Sequence, residues 1–371
     1  MSWIKNIFLV VTLSLITLLA CNFLTSIYLS VYKDSRLWIL EEETLEILQK
    51  YKNQLNHLRV MANKLEAPHA YKVKENIIFN RLTETNTSYS VLITGDSWGE
   101  VFAADFKSYR TLKNYSDDNK IDIIISGTSS YSPTLLGIQA RILNKDFHLN
   151  FDEAYVVIDN TDIGDELCRY RNFIGVDSNG DKIVRSFDNP KRIYYVDNIT
   201  YASKVLNSDD YSLIKFAKLT LKKINDIITP FIYYSDEVLC RWNEISKYLY
   251  NISEDEEEYF AASVDYLIES LTDANPGIVI NLITVPHKKH LTKEYSNSVA
   301  ILLNKILENH PYENVNHTDF SDKIVDLINS GFQLDDIYIK DDEASHLTSF
   351  GHNKLLVQFI LSSIKKDSIY D

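Results

Sequence analysis

Between Tyr89 and Phe102 the chain passes from an apolar run with Val91, Leu92 and Ile93, through Gly95-Asp96-Ser97, into helical spacing. A short run of this kind without charge suits a strand buried on both faces, as in a parallel sheet. From Trp98 to about Tyr109 the apolar positions recur as on a helix. Ser97 therefore falls where the carboxyl end of a strand turns into a helix. In an open α/β sheet, that is where ligands bind. Free backbone N–H groups and the helix dipole there favour developing negative charge. A serine nucleophile needs such a place, because its tetrahedral intermediate carries an oxyanion. Taken alone, Gly-Asp-Ser is also an ordinary turn and helix N-cap, and Asp96 reads as shaping that turn rather than reacting.

The same rhythm recurs along the chain. Ile121–Ser126 is a second buried-strand pattern, followed by Gly127 and then by Ser132 and Pro133, a good N-cap and first-turn pair for a helix to about Leu143. Ala154–Ile158 is a third strand and ends in Asp159-Asn160-Thr161-Asp162. Gly277–Val285 is a fourth, stopped by Pro286-His287; a helix over about 293–308 and a short strand near 315–320 follow. A final helix covers about 350–365. Strands alternating with helices at similar spacing predict a three-layer α/β/α sandwich with a parallel sheet. Residues 169–276 are less regular and read as an insertion or cap, with the acidic run Glu254–Glu258 as a solvated face.

Ahead of this domain lies an uncharged, almost wholly apolar segment, residues 7–32, flanked by Lys5 and by Lys33. At about 1.5 Å per residue it is long enough to cross a bilayer core of roughly 30 Å. A signal anchor is the favoured reading, with residues 1–6 cytoplasmic and the large domain extracytoplasmic. A lipoprotein box at Leu18-Leu19-Ala20-Cys21 is the alternative, although the chain stays apolar beyond Cys21. Residues 33–88 form a helical neck or linker. Apolar positions from Leu48 to Leu65 fall three and four apart, either an amphipathic helix packed on its own domain or a homodimer seam over 48–65. The formal net charge of −14, with no basic stripe, excludes nucleic acid as a natural partner. Cys168 and Cys240 are either one disulfide or two buried thiols, and no cysteine–histidine spacing resembles a zinc site. His287 and His290 read as a charged surface turn.

Just before the final helix lies Asp341-Asp342-Glu343-Ala344-Ser345-His346. A serine nucleophile at neutral pH needs a base, usually histidine, held in tautomer and orientation by a carboxylate. Here acid and base sit within a few residues on one loop. Gly95–Gly99 also fits the Gly-x-Ser-x-Gly nucleophile elbow. That architecture places its serine after several earlier strands and its acid and base on separate loops, so it fits less well.

With Gly95-Asp96-Ser97, Ser126-Gly127, Asp159–Asp162 and the stretch His346–His352 in sequence, the chain resembles the GDSL/SGNH hydrolase superfamily over 89–371. Trp98 stands where the family usually has leucine. Strict register puts Thr161 at the family's asparagine, with Asn160 one residue early, and Glu343 rather than Asp342 three residues before the histidine. The resemblance implies Ser97 as nucleophile, His346 as base and Asp342 or Glu343 as its orienting acid. The N–H groups of Ser97 and Gly127, with the side chain of Asn160 or Thr161, would hold the oxyanion. It implies no metal and no organic cofactor. It further implies a serine-dependent acyl-ester hydrolase or O-acyltransferase working on O-acetyl groups of a glycan, with a membrane acyl-donor protein as a partner in the transfer case. A non-catalytic, membrane-tethered binding or assembly module is the rival, and it requires Ser97 and His346 to stand out of hydrogen-bond reach.

Overall fold

Runs of Val, Ile and Leu buried on both sides assemble into one mixed, mostly parallel sheet. The computed structural model describes residues 79–83, 89–128, 130–184, 252–292 and 298–364, together with residue 248 and scattered positions between 12 and 24. The chain forms two compact units, residues 1–50 with 188–237, and residues 51–187 with 238–371. The second carries everything that follows. Its strands are β1 (Asn80–Arg81), β2 (Ser90–Gly95), β3 (Asp122–Ile125), β4 (Glu153–Ile158), β5 (Ile174–Val176), β6 (Lys182–Val184), β7 (Val279–Thr284) and β8 (Val315–Asp319).

The six-stranded sheet has the order β1-β3-β2-β4-β7-β8. All neighbours are parallel except β1, which pairs antiparallel with β3 at the edge. The sheet thus begins ahead of Tyr89, inside the stretch 33–88 that the sequence suggests is neck or linker. Phe79 and Leu82 are buried beside β1 and draw this segment onto the domain.

From β2 the chain goes to β3 on one side and returns to β4 on the other. The carboxyl end of β2 is therefore a topological switch point, and the crevice there is open to a ligand. Ser97 stands at that end.

Side-chain alternation along each strand divides the core in two. One face gathers Val91, Ile93, Ile123, Ile125, Tyr155, Val157 and Ile283 with residues of α1 (Ser97–Ala104), α2 (Phe106–Asn119) and the last helices of the chain. The other face, with Leu92, Ile124 and Val156, is the side covered by α3 (Pro133–Phe147) and the helices packed on it. The single helix expected from Trp98 to about Tyr109 is two. Asp105 leaves helical geometry, and its carboxylate caps α2 by accepting from Ser108 N at 2.8 Å.

Helix α3 begins at Pro133 as expected, but Ser132 makes no side-chain cap. Buried Glu166 does that work from a distance, accepting from Thr134 N at 3.0 Å and Thr134 Oγ1 at 2.9 Å. The elements after β4 are short: α4 (Asn160–Gly164) continues into a π-helical turn over Asp165–Tyr170, and β5 and β6 form a small antiparallel hairpin.

Helix α5 (Glu254–Ala274) corrects the expected insertion boundary at 276. It packs along α3, where a Cβ on Gly137 would meet the Tyr266 ring at 2.9 Å, and so belongs to the helical layer of the sandwich. Its acidic first turn carries a capping box between Ser253 and Glu256, and the negative charge there complements the helix dipole.

The remaining α-helices among the described residues of this unit are α6 (Lys288–Thr292), α7 (Ser298–Asn309), α8 (Ser321–Asn329), α9 (Leu334–Ile337), α10 (Ser349–His352) and α11 (Gln358–Ser363), with a π-helical turn over Asn353–Val357 between the last two.

The neck over 48–65 and most of residues 7–32 lie outside the described residues. Among the described residues no helix is long and apolar enough to cross a membrane. Cys21 is a free thiol, whereas Cys168 is disulfide-bonded to a partner outside the described residues.

Candidate active site

Backbone demands at two glycines bring the pieces together. Gly95 has φ +152°, and a Cβ there would meet Val157 O on β4 at 2.7 Å. Gly127, just past β3, lies against the start of α1 so closely that a Cβ would fall 1.9 Å from Gly99 C. No other residue fits either place. Their consequence is that the ends of β2, β3 and β4 close around Ser97.

Ser97 Oγ lies 2.7 Å from His346 Nε2, across 249 residues of sequence. His346 Nδ1 lies 2.7 Å from Asp342 Oδ2, and the same oxygen accepts from His346 N at 2.6 Å. Ala344 N also donates to Asp342, at 3.3 Å. Partial burial pushes the Asp342 carboxyl up, but these donors and the His346 ring outweigh it and hold it below its usual range. An ionised carboxylate only accepts, so Nδ1 carries the imidazole proton and Nε2 turns its lone pair to Ser97. Glu343 is exposed, and only its backbone enters the site's support. Of the two acids legible beforehand, the fold brings Asp342 to His346 and turns Glu343 away.

The acid–base loop is a tight hairpin. Tyr338 and Leu347 form an antiparallel bridge, and Ile339 N donates to His346 O at 2.8 Å. Asp341 and Ser345 have φ of 59° and 61°, left-handed conformations that cost a non-glycine residue about 1 kcal/mol or more each. The hairpin is pinned from below. His287 Nε2 donates to Glu343 O at 2.8 Å, and Tyr338 OH donates to Pro286 O at 2.7 Å. His287 and His290 are both buried, so the surface turn expected for them is wrong. Burial holds the His287 imidazole below its ordinary value, which keeps it a neutral donor. Proline stops β7 there, and the turn tucks beneath the hairpin instead of facing water.

A third buried histidine, His352, joins the final helices to α1 and α2. Its Nδ1 lies 2.9 Å from Ser108 Oγ, and its ring meets Phe102 edge-on at 4.3 Å between centroids. Burial pushes it down to about 4.

For the oxyanion, the Ser97 and Gly127 amides donate to no protein acceptor among the described residues. Asn160 is buried, and its Oδ1 accepts from Val299 N at the start of α7 at 3.1 Å, which fixes the plane of the amide. Thr161 is committed elsewhere: its N and Oγ1 both donate to Asp159 Oδ1, at 2.8 and 2.6 Å.

Behind Ser97 lies a carboxyl cluster that sequence spacing did not reveal. One oxygen from each of Asp96, Asp159 and Asp162 lies within 4.8 Å of the others, and all three residues are buried. Trp98, the departure from leucine, explains part of it. Its indole Nε1 donates to Asp159 Oδ2 at 2.7 Å while its ring lies 5.8 Å from the His346 ring. Asp159 also accepts from Asp162 N at 3.2 Å, and Asp159 N donates to Asp162 Oδ2 at 2.9 Å. Burial first, and then the neighbouring carboxyls, push Asp96 and Asp162 well above the usual carboxylate range. Three carboxyls this close have the chemistry of a hard-cation site. Here, however, N–H and O–H donors converge on Asp159, and a cation would face their positive ends. The cluster fits protons better than a metal.

No family model and no curated protein matches the chain. Among solved structures, it is similar to a mutant acetyl-xylooligosaccharide esterase from Geobacillus, at 11% identity and a TM-score of 0.39, over 77% of this chain and 95% of that one. It is also similar to an acetyl xylan esterase from the rumen bacterium Butyrivibrio proteoclasticus, at 8% identity and a TM-score of 0.35, over 75% of this chain and 64% of that one.

Proposed function

We propose that the chain is a serine-dependent acyl-ester hydrolase or O-acyltransferase of the GDSL/SGNH kind, acting on O-acetyl groups of a glycan outside the cytoplasmic membrane. The observation that carries the reading is the unbroken line from Ser97 Oγ to His346 Nε2 at 2.7 Å and from His346 Nδ1 to Asp342 at 2.7 Å. A drifted, non-catalytic pocket has no reason to keep both contacts.

Ser97 Oγ attacks the ester carbonyl, and its proton passes to His346 Nε2. Asp342 stabilises the imidazolium that forms. The carbonyl π pair moves to oxygen, where the N–H groups of Ser97 and Gly127 and the Asn160 amide receive it. Collapse expels the alcohol, which takes the proton from His346. Water in a hydrolase, or a sugar hydroxyl in a transferase, then attacks the acyl-serine with His346 again as base. In the transferase case the acyl group comes from a membrane acyl-donor protein. The disulfide at Cys168 supports an oxidising compartment, and the apolar segment 7–32 supports a membrane tether.

The test is labelling of the full-length chain with a fluorophosphonate, beside acetate release from a chromogenic acetate ester. Labelling and turnover that vanish in both Ser97→Ala and His346→Ala are expected. Folded wild type that neither labels nor turns over refutes the enzyme reading and favours a tethered binding module.

A further inference from the structure

Ser97 Oγ has two close polar neighbours and one proton. His346 Nε2 stands at 2.7 Å and Asp96 Oδ2 at 2.9 Å. The Asp342 carboxylate fixes the imidazole proton on Nδ1, so Nε2 is an acceptor and takes the hydroxyl proton. The contact with Asp96 then has no proton from the serine side. An ionised Asp96 would press an anionic oxygen against the lone pairs of Oγ. Otherwise it would draw the hydroxyl proton away from His346 and leave the serine bonded to the wrong base.

We infer that Asp96 is a further catalytic residue, working as a neutral carboxylic acid whose Oδ2–H donates to Ser97 Oγ. The inference rests on Ser97 being the nucleophile of the proposed esterase. Its other oxygen, Oδ1, accepts from Trp98 N at 2.9 Å and caps α1, so the acid is held by its cap while its proton faces the nucleophile. The setting suits a neutral acid. Asp96 is 2% exposed, and the charged or titratable groups facing it are Asp159, Asp162 and Asp165 from the segment after β4, with His346 and Asp342 beyond Ser97. Asp159, accepting four hydrogen bonds from Trp98, Thr161 and Asp162, is the member arranged to carry charge. A second anion beside it, out of water, is costly, and a proton on Asp96 removes that cost.

The function of such a proton follows from where charge moves. During attack, the hydroxyl proton goes to His346 Nε2, the Oγ–C bond forms, and Asp96 keeps its own proton. When the acyl-serine breaks down, the Oγ–C pair returns to Oγ, and the Asp96 hydroxyl meets it before His346 returns the proton. The acid thus steadies the serine oxygen in both half-reactions without being consumed.

Two variants separate this role from capping. Asn and Ser both cap helices as well as Asp does. Asp96→Asn retains a donor at the right reach, whereas the Asp96→Ser side chain caps but is too short to touch Oγ. Full-length wild type, Asp96→Asn and Asp96→Ser are compared for acetate-ester turnover and for the infrared carbonyl band of protonated carboxylic acids at neutral pH. The expected result is a band in wild type that weakens in both variants, with kcat in Asp96→Asn above that in Asp96→Ser by about tenfold or more, the worth of one hydrogen bond to a charged atom. A band of wild-type strength in Asp96→Asn overturns the inference, as do equal kcat values in the two variants. Wild type without turnover refutes the esterase reading alone, and the infrared comparison still decides where the proton sits.

Discussion

Removing the charge on Asp342, with Glu343 left in place, separates the two acids that sequence spacing leaves open. In Asp342→Asn the side chain keeps its size but offers one accepting oxygen to His346 N and His346 Nδ1, which share Asp342 Oδ2 at 2.6 and 2.7 Å. If the new NH2 faces the ring, it donates to Nδ1 and forces the proton onto Nε2. That tautomer cannot accept from Ser97. In a fully buried triad the same change costs about 10⁴ in kcat. The Asp342 side chain is 24% exposed, so solvent supplies part of the lost stabilisation. The expected loss is about 10²–10⁴ in kcat, or about 2.7–5.4 kcal/mol at 1.36 kcal/mol per decade, with KM nearly constant. Glu343→Gln alters only an exposed side chain, since its carbonyl is what His287 holds, and kcat should stay within about twofold. The assay is steady-state acetate release, with circular dichroism as the folding control. Glu343→Gln losing as much as Asp342→Asn, or Asp342→Asn keeping more than about a tenth of wild-type kcat, would refute the assignment.

Other consequences are as direct. Gly127→Ala places a Cβ 1.9 Å from Gly99 C, backbone against backbone, and should destabilise the fold by about 3 kcal/mol or more, read as a lowered urea midpoint. His287→Ala removes the buried donor to Glu343 O, and we expect kcat to fall about tenfold and stability to fall by about 1–3 kcal/mol, read as a lowered urea midpoint. His352 has its folded value depressed to about 4 by burial, so it must stay neutral in the fold. Its contribution to stability is whole above the unfolded value of about 6.5 and is lost as pH falls towards 4, up to about 3 kcal/mol in all. Urea midpoints at pH 7.5 and pH 4.5 should therefore converge in His352→Gln relative to wild type. Asp96 works in the opposite sense: its folded value is raised, so its contribution is whole below an unfolded value of about 3.9 and fades as pH climbs towards the folded one. Asp96→Asn should therefore gain on wild type in urea midpoint as pH rises.

The strands were legible because parallel strands buried on both faces leave unbroken apolar runs, as at Ile123–Ile125 and Ala154–Ile158. The meeting of Ser97 with His346 was legible because a serine nucleophile and its base would need a strand end and a loop acid–base pair. The choice of Asp342 was not, since it depends on left-handed geometry at Asp341 and Ser345, which neither side chain advertises. The break at Asp105 stayed hidden because helical spacing continues across it. β1 has two residues and no period to detect. His287 misled for a different reason: a histidine between proline and lysine looks wet, and only the hairpin lying over it makes it dry. The carboxyl cluster joins a residue at the end of β2 to others beyond β4, a proximity that only the sheet order creates.

The hairpin between Tyr338 and Leu347 has a mechanical meaning. Acid and base ride on one short lever, closed on itself by the bond from Ile339 N to His346 O and bolted to Pro286 and His287. Because the lever carries both groups, tilting it leaves the bond between Asp342 and His346 intact and opens a single gap, at Ser97. The machinery therefore has one clutch plate. In the proposed esterase, a shift of about 1 Å there disengages the serine and costs about 10²-fold in rate.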